Sequence, residues 1–400
     1  MTREEQKMRQ QEQKRERRHR ERAAWEAARG PMDVPFLLMV CLLLVMGLIM
    51  VLSASFPSAQ AEGNPFKYFR QQTIFGALGF AFMLFVSRVN YQRLRGFAHI
   101  ALYGSIFLLI LVIIPGVGIT RNQATRWLGI SDTGFTFQPS EIAKLGVIIY
   151  FAATISIKRE RMQKPLQVVF PYLVILGVMS VLMAMEPHVS GMVLIVGIGL
   201  AMLAVGGIHW GWIAVGGAGA VGGVYLVLFT DLMEKIGYNS HRITTWKDPF
   251  WDAGDKSYQM AQSFITIGSG GLLGVGLGKS RQKFMFLPEE HNDFIFAVIC
   301  EELGLIGATV IMVLFSVLIL RGYWIALRAK DRFGSLLVVG VVTQIALQAF
   351  LNIAVVTGFI PNTGISLPFF SYGGTALMIQ LAEVGIVLSV SRQIPAPKGG

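Results

Sequence analysis

The chain has 400 residues, of which 53% are hydrophobic, 15% are charged and 44 are glycine. Soluble domains carry about 25% charged residues, and a mean hydropathy of +0.55 leaves too little polar surface for a water-soluble globule. The two cysteines exclude a disulfide scaffold. The net charge of +11 comes without a base-reading motif, so we expect no nucleic-acid partner. The composition predicts a multi-span membrane protein.

The N-terminal segment 1–31 is strongly charged, with ten Lys or Arg and six Glu. It shows no apolar periodicity, which predicts a solvated cytoplasmic tail beside anionic lipid. Ala59-Gln60-Ala61 resembles a signal cleavage site. The apolar run 34–52 before it is longer than the roughly 7–15 residues of a signal peptide's apolar region, so we expect a retained first helix.

Apolar runs long enough to cross a membrane recur along the rest of the chain. Their predicted positions are 33–53, 71–87, 98–115, 139–157, 168–185, 189–207, 210–229, 294–320, 335–357 and 369–391. Most Lys and Arg residues fall on the side of the tail, which places both termini in the cytoplasm. The sequence thus predicts an all-α integral membrane protein with ten transmembrane helices. Its parts are the tail 1–31, a membrane domain at 32–393 with a long external loop at 230–293 between helices 7 and 8, and a short cytoplasmic C-terminus at 394–400.

The long loop 230–293 is a candidate functional segment, since loops of this length are usually functional or disordered. Its glycine-rich part precedes the cations Lys279, Arg281 and Lys283. A Walker A loop is excluded because Leu273 stands where that motif needs a glycine. Backbone NH groups with cations suit a phosphate or pyrophosphate, and contact with lipid headgroups is the alternative.

Carboxylates inside or beside membrane helices are the sharpest chemical signal. Asp293 stands at the external mouth of the eighth span, where it is either a catalytic base or a helix cap. Glu301 and Glu302 lie deeper on other faces of the same helix. Glu141 and Lys144 are spaced to pair on one helix face. The histidines are scattered without an HExxH pattern, which argues against a zinc site.

Motif runs in the external segments resemble a known family. They are Arg126-Trp127 with Gln138-Pro139-Ser140-Glu141, Leu287-Pro288-Glu289 with His291-Asn292-Asp293-Phe294-Ile295-Phe296, and Gly358-Phe359-Ile360-Pro361-Asn362-Thr363-Gly364 with Leu367-Pro368-Phe369 and Ser371-Tyr372-Gly373-Gly374. In these runs the chain resembles, over residues 33–392, the SEDS family of bacterial shape, elongation, division and sporulation proteins. The run 276–283 is closer to the division-type members than to the elongation type.

The resemblance implies a peptidoglycan glycosyltransferase, a hexosyltransferase that polymerises lipid II at the outer face of the bacterial cytoplasmic membrane during cell division. It implies that Asp293 is the essential aspartate, which we interpret as the general base. It also implies lipid II as substrate and, as partners, a class B penicillin-binding transpeptidase and other division proteins at the septum. No cofactor is certain. A divalent cation, Mg²⁺ or Mn²⁺, could assist, although the sequence predicts no metal site.

Further site residues are predicted from the motifs and from external charge. Substrate-binding roles are predicted for Arg126, Trp127, Arg242, Lys279, Arg281, Lys283, Glu289, His291, Ser371 and Tyr372. Structural or pocket-shaping roles are predicted for Glu141, Lys144, Pro361, Pro368, Gly373 and Gly374. The cations among the first group are expected to stabilise the undecaprenyl-pyrophosphate leaving group, and Arg126 is the first choice.

Other functions fit part of the same sequence. A lipid II flippase would also need many spans and intramembrane charges, and a scaffold would only recruit a partner. An elongation-type or sporulation-type polymerase would share the motifs. The concentration of polar motifs on the external side favours an externally facing enzyme.

Overall fold

The computed structural model describes residues 30–121, 124–130, 135–158, 169–229 and 241–394. Most of the predicted tail 1–31 and the C-terminal residues 395–400 lie outside the described residues. The helices are α1 Val34–Ala61, α2 Lys67–Val86, α3 Gln92–Gly96, α4 Ala98–Ile113, α5 Pro139–Ile157, α6 Phe170–Met185, α7 Val189–Val205, α8 Trp210–Phe229, α9 His241–Lys247, α10 Tyr258–Gly270, α11 Ile295–Arg328, α12 Arg332–Val356 and α13 Gly374–Ser391.

Each predicted apolar run coincides with a helix. Within the described part of the chain, six helices are long and apolar enough to cross a membrane, namely α1, α2, α5, α11, α12 and α13. The apolar helices α4, α6 and α7 are shorter. The protein is therefore largely helical and multi-pass, as the composition predicts.

Local sequence explains several helix ends. Asp33 precedes α1 and its carboxylate accepts a hydrogen bond from the main-chain NH of Phe36, which satisfies one of the unpaired donors of the first turn. Proline at the start of α5 supplies a backbone angle suited to a first helical turn. Glu186-Pro187-His188 separates α6 from α7 and forms the predicted tight hairpin.

The all-α prediction is wrong for the segment predicted as the second external loop. Three short antiparallel strands form there, β1 Ile119–Arg121, β2 Ala124–Ile130 and β3 Phe135–Phe137, with β2 between the other two. β-branched and aromatic residues recur through this segment, and such residues favour a pleated, half-buried surface. The sheet leads directly into α5, and strand β2, which carries Arg126 and Trp127, packs against that helix.

The segment predicted as the long external loop also contains regular structure. Beyond residues 230–240, which lie outside the described part, the segment includes α9 and α10. Helix α10 is amphipathic and packs against α11. Burial of its apolar face explains why a segment between two spans folds as a helix rather than an open loop.

Helix α11 was predicted as one uninterrupted span, and the structure shows a break at Gly304. This residue has φ of +65°, a conformation that glycine adopts without a steric penalty. A Cβ at Gly304 would lie 2.3 Å from the nitrogen of Gly274, so the glycine also admits the neighbouring chain. The main-chain NH of Leu305 donates to the oxygen of Gly271 at 3.0 Å, and that of Val275 donates to the oxygen of Glu301 at 2.9 Å. The glycine-rich segment that follows α10 therefore packs into the break in α11.

The core of the bundle is centred on α12, which packs against α5, α7, α11 and α13. Helix α13 packs against α2 as well. Gly47 of α1 brings another close approach, since a Cβ there would lie 2.1 Å from the main-chain oxygen of Phe369. This contact fixes the segment before α13, which carries one of the motif runs, against the first helix.

Candidate functional site

A polar cavity of about 720 Å³ lies among the motif-bearing segments. Its lining comes from the start of α2, strand β2, the start of α5, the hairpin before α7, helix α9, the turn before α11 and the segment 362–380. These segments are remote in sequence, and nearly all belong to the external connections of the predicted topology. The fold thus gathers the external motifs around one space.

Asp293 stands in the turn before α11 and lines this cavity, where it is half-buried. Asn352 of α12 donates a hydrogen bond at 2.8 Å to its main-chain oxygen. Gly364 faces its carboxyl, because a Cβ there would lie 3.1 Å from Asp293 Oδ2. The helix-cap alternative finds no support, since the capping position is Phe294 and no side chain makes a capping hydrogen bond there.

Burial, followed by the neighbouring Glu289 carboxylate, raises the pKa of Asp293 to about 6. The guanidinium groups of Arg126 and Arg242 oppose this shift. A charge must be close to act on a pKa in this way, so both cations are near neighbours of the carboxyl. Asp293 is consequently ionised at neutral pH and a stronger base than an ordinary aspartate.

Main-chain carbonyls orient the two arginines. Arg126 of β2 donates from Nε to the oxygen of Glu186 at 3.2 Å and from Nη2 to the oxygen of Pro187. Arg242 of α9 donates from Nη1 to the oxygen of Asn362 at 2.8 Å. The planar guanidinium fork suits the oxygens of a phosphate. The two arginines therefore present an anion-binding side of the cavity.

The predicted pair on α5 is present beneath the cavity. Lys144 Nζ lies 2.8 Å from Glu141 Oε1, and the lysine is 1% exposed. Both residues line the cavity floor. A buried lysine needs a partner of this kind because an unpaired charge there is strongly unfavourable.

The segment before α13 is joined to the turn that carries Asp293. Ser371 Oγ donates to the oxygen of Asn292 at 2.7 Å and accepts from the NH of Leu367 at 2.7 Å. The NH of Tyr372 donates to the oxygen of His291 at 2.8 Å. These bonds fix two motif runs relative to each other.

The structure brings many of the predicted site residues to the cavity and leaves others away from it. The residues that line it are Arg126, Trp127, Arg242, Glu289, Asp293, Ser371, Tyr372, Glu141, Lys144, Pro368, Gly373 and Gly374. The residues that do not line it are Lys279, Arg281, Lys283, His291 and Pro361. The ring of His291 instead packs against Tyr68, with ring centres 4.7 Å apart.

The cations of the glycine-rich segment face a different environment from the one predicted. Lys283 is buried and its Nζ lies 2.8 Å from Glu302 Oε1, with Ser53 of α1 3.0 Å away. The main-chain NH of Arg281 donates to Glu301 at 3.0 Å. The two glutamates of α11 thus draw this segment against the helix, and Lys283 compensates their charge rather than facing the cavity.

Uncharged polar residues of the lining were missed from the sequence. They include Tyr68, Gln71, Gln138, His188, Gln259 and Asn362. Nothing in their spacing points to a shared site, because only the tertiary fold brings them together. Gln138 and Asn362 stand inside motif runs, which is the signal that could have found them.

The cavity offers few side chains that could bind a metal ion. In the ranges that the structure describes, no group of three or more His, Cys, Asp or Glu side chains could hold a metal ion. Glu289 and Asp293 are two neighbouring carboxylates of the lining. Mg²⁺ is commonly held by one or two carboxylates together with substrate phosphates, so these two residues fit such an ion.

Comparisons with known proteins agree with this architecture. Residues 34–395 match the FtsW, RodA and SpoVE family model, described as a cell cycle protein. The chain is 39% identical to a probable peptidoglycan glycosyltransferase FtsW of Geobacter sulfurreducens, over 90% of this chain and 95% of that protein. It is 40% identical to stage V sporulation protein E of Bacillus subtilis, over 90% of this chain and 97% of that protein.

Solved structures show the same fold. One of them is a chain of a peptidoglycan synthase complex, which is described as coordinating polymerization and crosslinking. It superposes with a TM-score of 0.73 at 25% sequence identity, and the match covers 90% of this chain and 98% of that one. The rod shape determining protein RodA of Thermus thermophilus superposes with a TM-score of 0.65 at 24% identity, covering 92% of this chain and 98% of that one. The chain belongs to the FtsW, RodA and SpoVE family of cell cycle proteins.

Proposed function

We propose that this protein is a peptidoglycan glycosyltransferase that polymerises lipid II at the outer face of the cytoplasmic membrane during cell division. The observation that carries the proposal is the Asp293 carboxyl, with its pKa raised to about 6, in a polar cavity beside Arg126 and Arg242. The relative from Geobacter sulfurreducens named as a probable peptidoglycan glycosyltransferase FtsW supports it.

In the proposed reaction Asp293 acts as general base. A sugar hydroxyl of one lipid II molecule attacks the anomeric carbon of the growing strand, and Asp293 accepts the hydroxyl proton. The new glycosidic bond forms while the bond from that carbon to the pyrophosphate oxygen breaks, with inversion of the carbon. General base catalysis contributes roughly 10²–10⁴-fold in rate.

The departing undecaprenyl pyrophosphate takes the electron pair of the broken bond. Arg126 and Arg242 stabilise its negative charge by fixed, preorganised donors. A divalent cation would add positive charge for the pyrophosphate if bound by Glu289 together with the phosphate oxygens of the substrate, which leaves Asp293 as the base. Glu141 with Lys144 and the turn Ser371–Gly374 shape the floor and wall around the reacting groups.

The proposal includes the predicted membrane arrangement. Ten spans with both termini in the cytoplasm place the cavity on the outer face. The tail 1–31 and the residues 394–400 then lie on the inner side. A class B penicillin-binding transpeptidase at the septum is the proposed partner, and the similarity to a chain of a peptidoglycan synthase complex supports it.

The test is polymerisation of purified lipid II with and without the cognate transpeptidase. We expect glycan strands from the wild type and none from Asp293→Asn, which keeps the size of the side chain and removes the base. Asp255→Asn is the matched control, because Asp255 is an exposed aspartate of the same external segment that does not line the cavity.

Two outcomes point elsewhere. If neither protein makes strands but the wild type moves lipid II across vesicles, the protein is a flippase. If Asp293→Asn polymerises as well as the wild type, Asp293 is not the base. The 40% identity to stage V sporulation protein E makes a sporulation-type polymerase the second candidate, and depletion during growth and during sporulation separates the two roles.

A further inference from the structure

The two sides of the cavity differ in chemistry. Arg126 and Arg242 occupy one side, where both act on the Asp293 carboxyl. The start of α2 and the segment before α13 form another wall, with the aromatic residues Tyr68 and Tyr372 and the amide of Gln71. Lys67 of α2 also lines the cavity, and its ammonium group is paired with Glu62 at 2.5 Å. Because this charge is compensated, the second wall suits an uncharged, hydroxyl-rich ligand better than an anion.

Contacts behind the aromatic wall hold its rings in place. The rings of Tyr68, His291 and Tyr372 form one cluster, in which the Tyr68 ring is 4.7 Å from His291 and 5.0 Å from Tyr372, and the latter two are 5.7 Å apart. The Tyr372 hydroxyl donates to Gln71 at 2.6 Å, and the Tyr68 hydroxyl donates to Glu62 at 2.5 Å. Aromatic rings fixed by such packing and hydrogen bonds lose little conformational entropy when a ligand binds.

Asp293 has links to both the cationic side and the aromatic wall. Toward the cations, its carboxyl faces Gly364, close to the Asn362 carbonyl that binds Arg242. Toward the aromatic wall, His291, two residues before Asp293, accepts a main-chain hydrogen bond from Tyr372, and its ring packs at a tilt against Tyr68. The proposed base is therefore at the junction of the two surfaces.

The chemistry of inversion assigns the two surfaces to the two substrates. A nucleophile that inverts a sugar carbon approaches opposite the leaving group. If the arginines hold the leaving pyrophosphate, the incoming sugar lies on the other side of the reacting carbon, next to the base. We propose that Tyr68, Tyr372 and Gln71 form the saccharide subsite for the acceptor lipid II, an inference that rests on the proposed function.

The subsite has the groups that a sugar requires. The C–H face of a pyranose is apolar and packs on an aromatic ring, while its hydroxyl groups need a few placed polar partners. Tyr68 and Tyr372 provide the rings and Gln71 provides the amide. Because the Tyr68 hydroxyl is bound to Glu62, the ring of Tyr68 rather than its hydroxyl is the part expected to contact the sugar.

The first test is kinetic, with lipid II as substrate and the transpeptidase present. Tyr68→Ala is expected to raise the apparent KM for the acceptor at least about tenfold, the size of one well-placed aromatic contact, with a smaller effect on kcat. Tyr68→Phe keeps the ring and is expected to remain within about twofold of the wild type. Phe66→Ala, an exposed aromatic two residues away that does not line the cavity, is the matched control.

The second test measures binding without turnover. A soluble N-acetylglucosaminyl-N-acetylmuramic acid disaccharide, which lacks both lipid and phosphate, is titrated against wild type, Tyr68→Ala and Arg242→Ala. Inorganic pyrophosphate is titrated in parallel. We expect Tyr68→Ala to lose disaccharide binding and keep pyrophosphate binding, and Arg242→Ala to do the reverse. Thermal unfolding of each variant shows that it is folded.

The outcomes separate the subsite from the proposed function. If the wild type polymerises lipid II and Tyr68→Ala keeps the wild-type KM for the acceptor, the subsite is refuted and the proposed function is not affected. Wild type that binds no disaccharide at millimolar concentration also overturns the subsite. If the wild type binds the disaccharide through Tyr68 but makes no strands, the polymerase and the acceptor role are refuted, and only a saccharide-binding site remains.

Discussion

At the scale of single residues, the pKa of Asp293 is raised by burial and by a neighbouring carboxylate and is lowered by two neighbouring arginines. Its charge is needed for the proposed base, so the rate falls as pH decreases through about 6, where the carboxyl becomes protonated. Burial is the main cause of the raised pKa and the Glu289 carboxylate is the next. Glu289→Gln removes one negative neighbour, and we expect the acid limb of the pH–rate profile to move to lower pH. The measurement is kcat/KM of polymerisation from pH 5 to pH 8.

The shape of that profile is informative even if the substitution lowers the maximal rate. Asp255→Asn, which removes an exposed carboxylate outside the cavity, is expected to leave the acid limb in place. If the acid limb stays at the same pH in Glu289→Gln, a group other than Asp293 controls the pH dependence of the rate.

Glu186 is expected to affect the pH dependence of protein stability rather than that of the reaction rate. Glu186 is 2% exposed, neither carboxylate oxygen has a hydrogen-bond partner among the described residues, and burial raises its pKa to about 8, although Arg126 opposes this. The folded protein therefore binds a proton more tightly than the unfolded chain, and stability decreases as pH rises from about 5 to about 8. We expect Glu186→Gln, which is always neutral, to lose this decrease and to be more stable than the wild type at pH 8, by on the order of a few kcal/mol.

Thermal unfolding in detergent at pH 5.5 and pH 8 checks this expectation. The wild type should show a larger drop in Tm between the two values than Glu186→Gln, and Asp255→Asn should behave like the wild type. Equal drops in all three proteins would show that Glu186 is ionised in the folded state. The main-chain oxygen of Glu186 accepts a hydrogen bond from Arg126, and Glu186→Gln leaves this contact intact.

At the scale of secondary structure elements, the glycine-rich segment is held to α11 by a buried ion pair. Lys283 Nζ lies 2.8 Å from Glu302, which also accepts a hydrogen bond from Ser53 of α1 at 2.7 Å. Removal of one partner of a buried pair costs about 3–5 kcal/mol, because the other charge is left uncompensated. We expect Lys283→Met to be strongly destabilising, and Lys283→Met with Glu302→Gln to regain a large part of the loss.

A double-mutant cycle of unfolding free energies or Tm values measures this coupling. The exposed Lys279→Met serves as the matched control and is expected to have little effect. Additive losses for Lys283 and Glu302 would contradict a direct pair. Because the segment ends close to Asp293 in the chain, the single variant is also expected to polymerise poorly under conditions in which the wild type is active.

The same elements show what sequence reasoning could and could not reach. Hydrophobic length predicted where the apolar helices of the described part of the chain lie, and the spacing of Glu141 and Lys144 predicted their ion pair, since both features are local. The break at Gly304 was missed because its cause is the docking of Gly274, a tertiary contact. Lys283 was assigned to an anion because a sequence does not show that Glu302 lies opposite it. Tyr68 was missed for a similar reason, since its ring partners His291 and Tyr372 are more than 200 residues away.

At the scale of the whole molecule, polar groups separate into two ends of the bundle. One end holds the cavity with Asp293 and Arg126. The other holds the ion pair of Arg321 with Asp33, at 2.8 Å, and the bond from the NH of Gly30 to the oxygen of Arg392, at 2.8 Å. The two ends of the described chain therefore meet on the side away from the cavity. This arrangement supports the proposal that both termini share one face of the membrane.

The bias of Lys and Arg residues assigns the face with the termini to the cytoplasm, and single cysteines test the assignment. In a background of Cys41→Ala and Cys300→Ala, Lys256→Cys and Lys158→Cys each place one thiol at an exposed site. A membrane-impermeant maleimide applied to spheroplasts is expected to label Lys256→Cys strongly and Lys158→Cys only after permeabilisation. The reverse pattern would turn the cavity toward the cytoplasm, where a polymerase of exported lipid II finds no acceptor, and would refute the proposed function together with the topology.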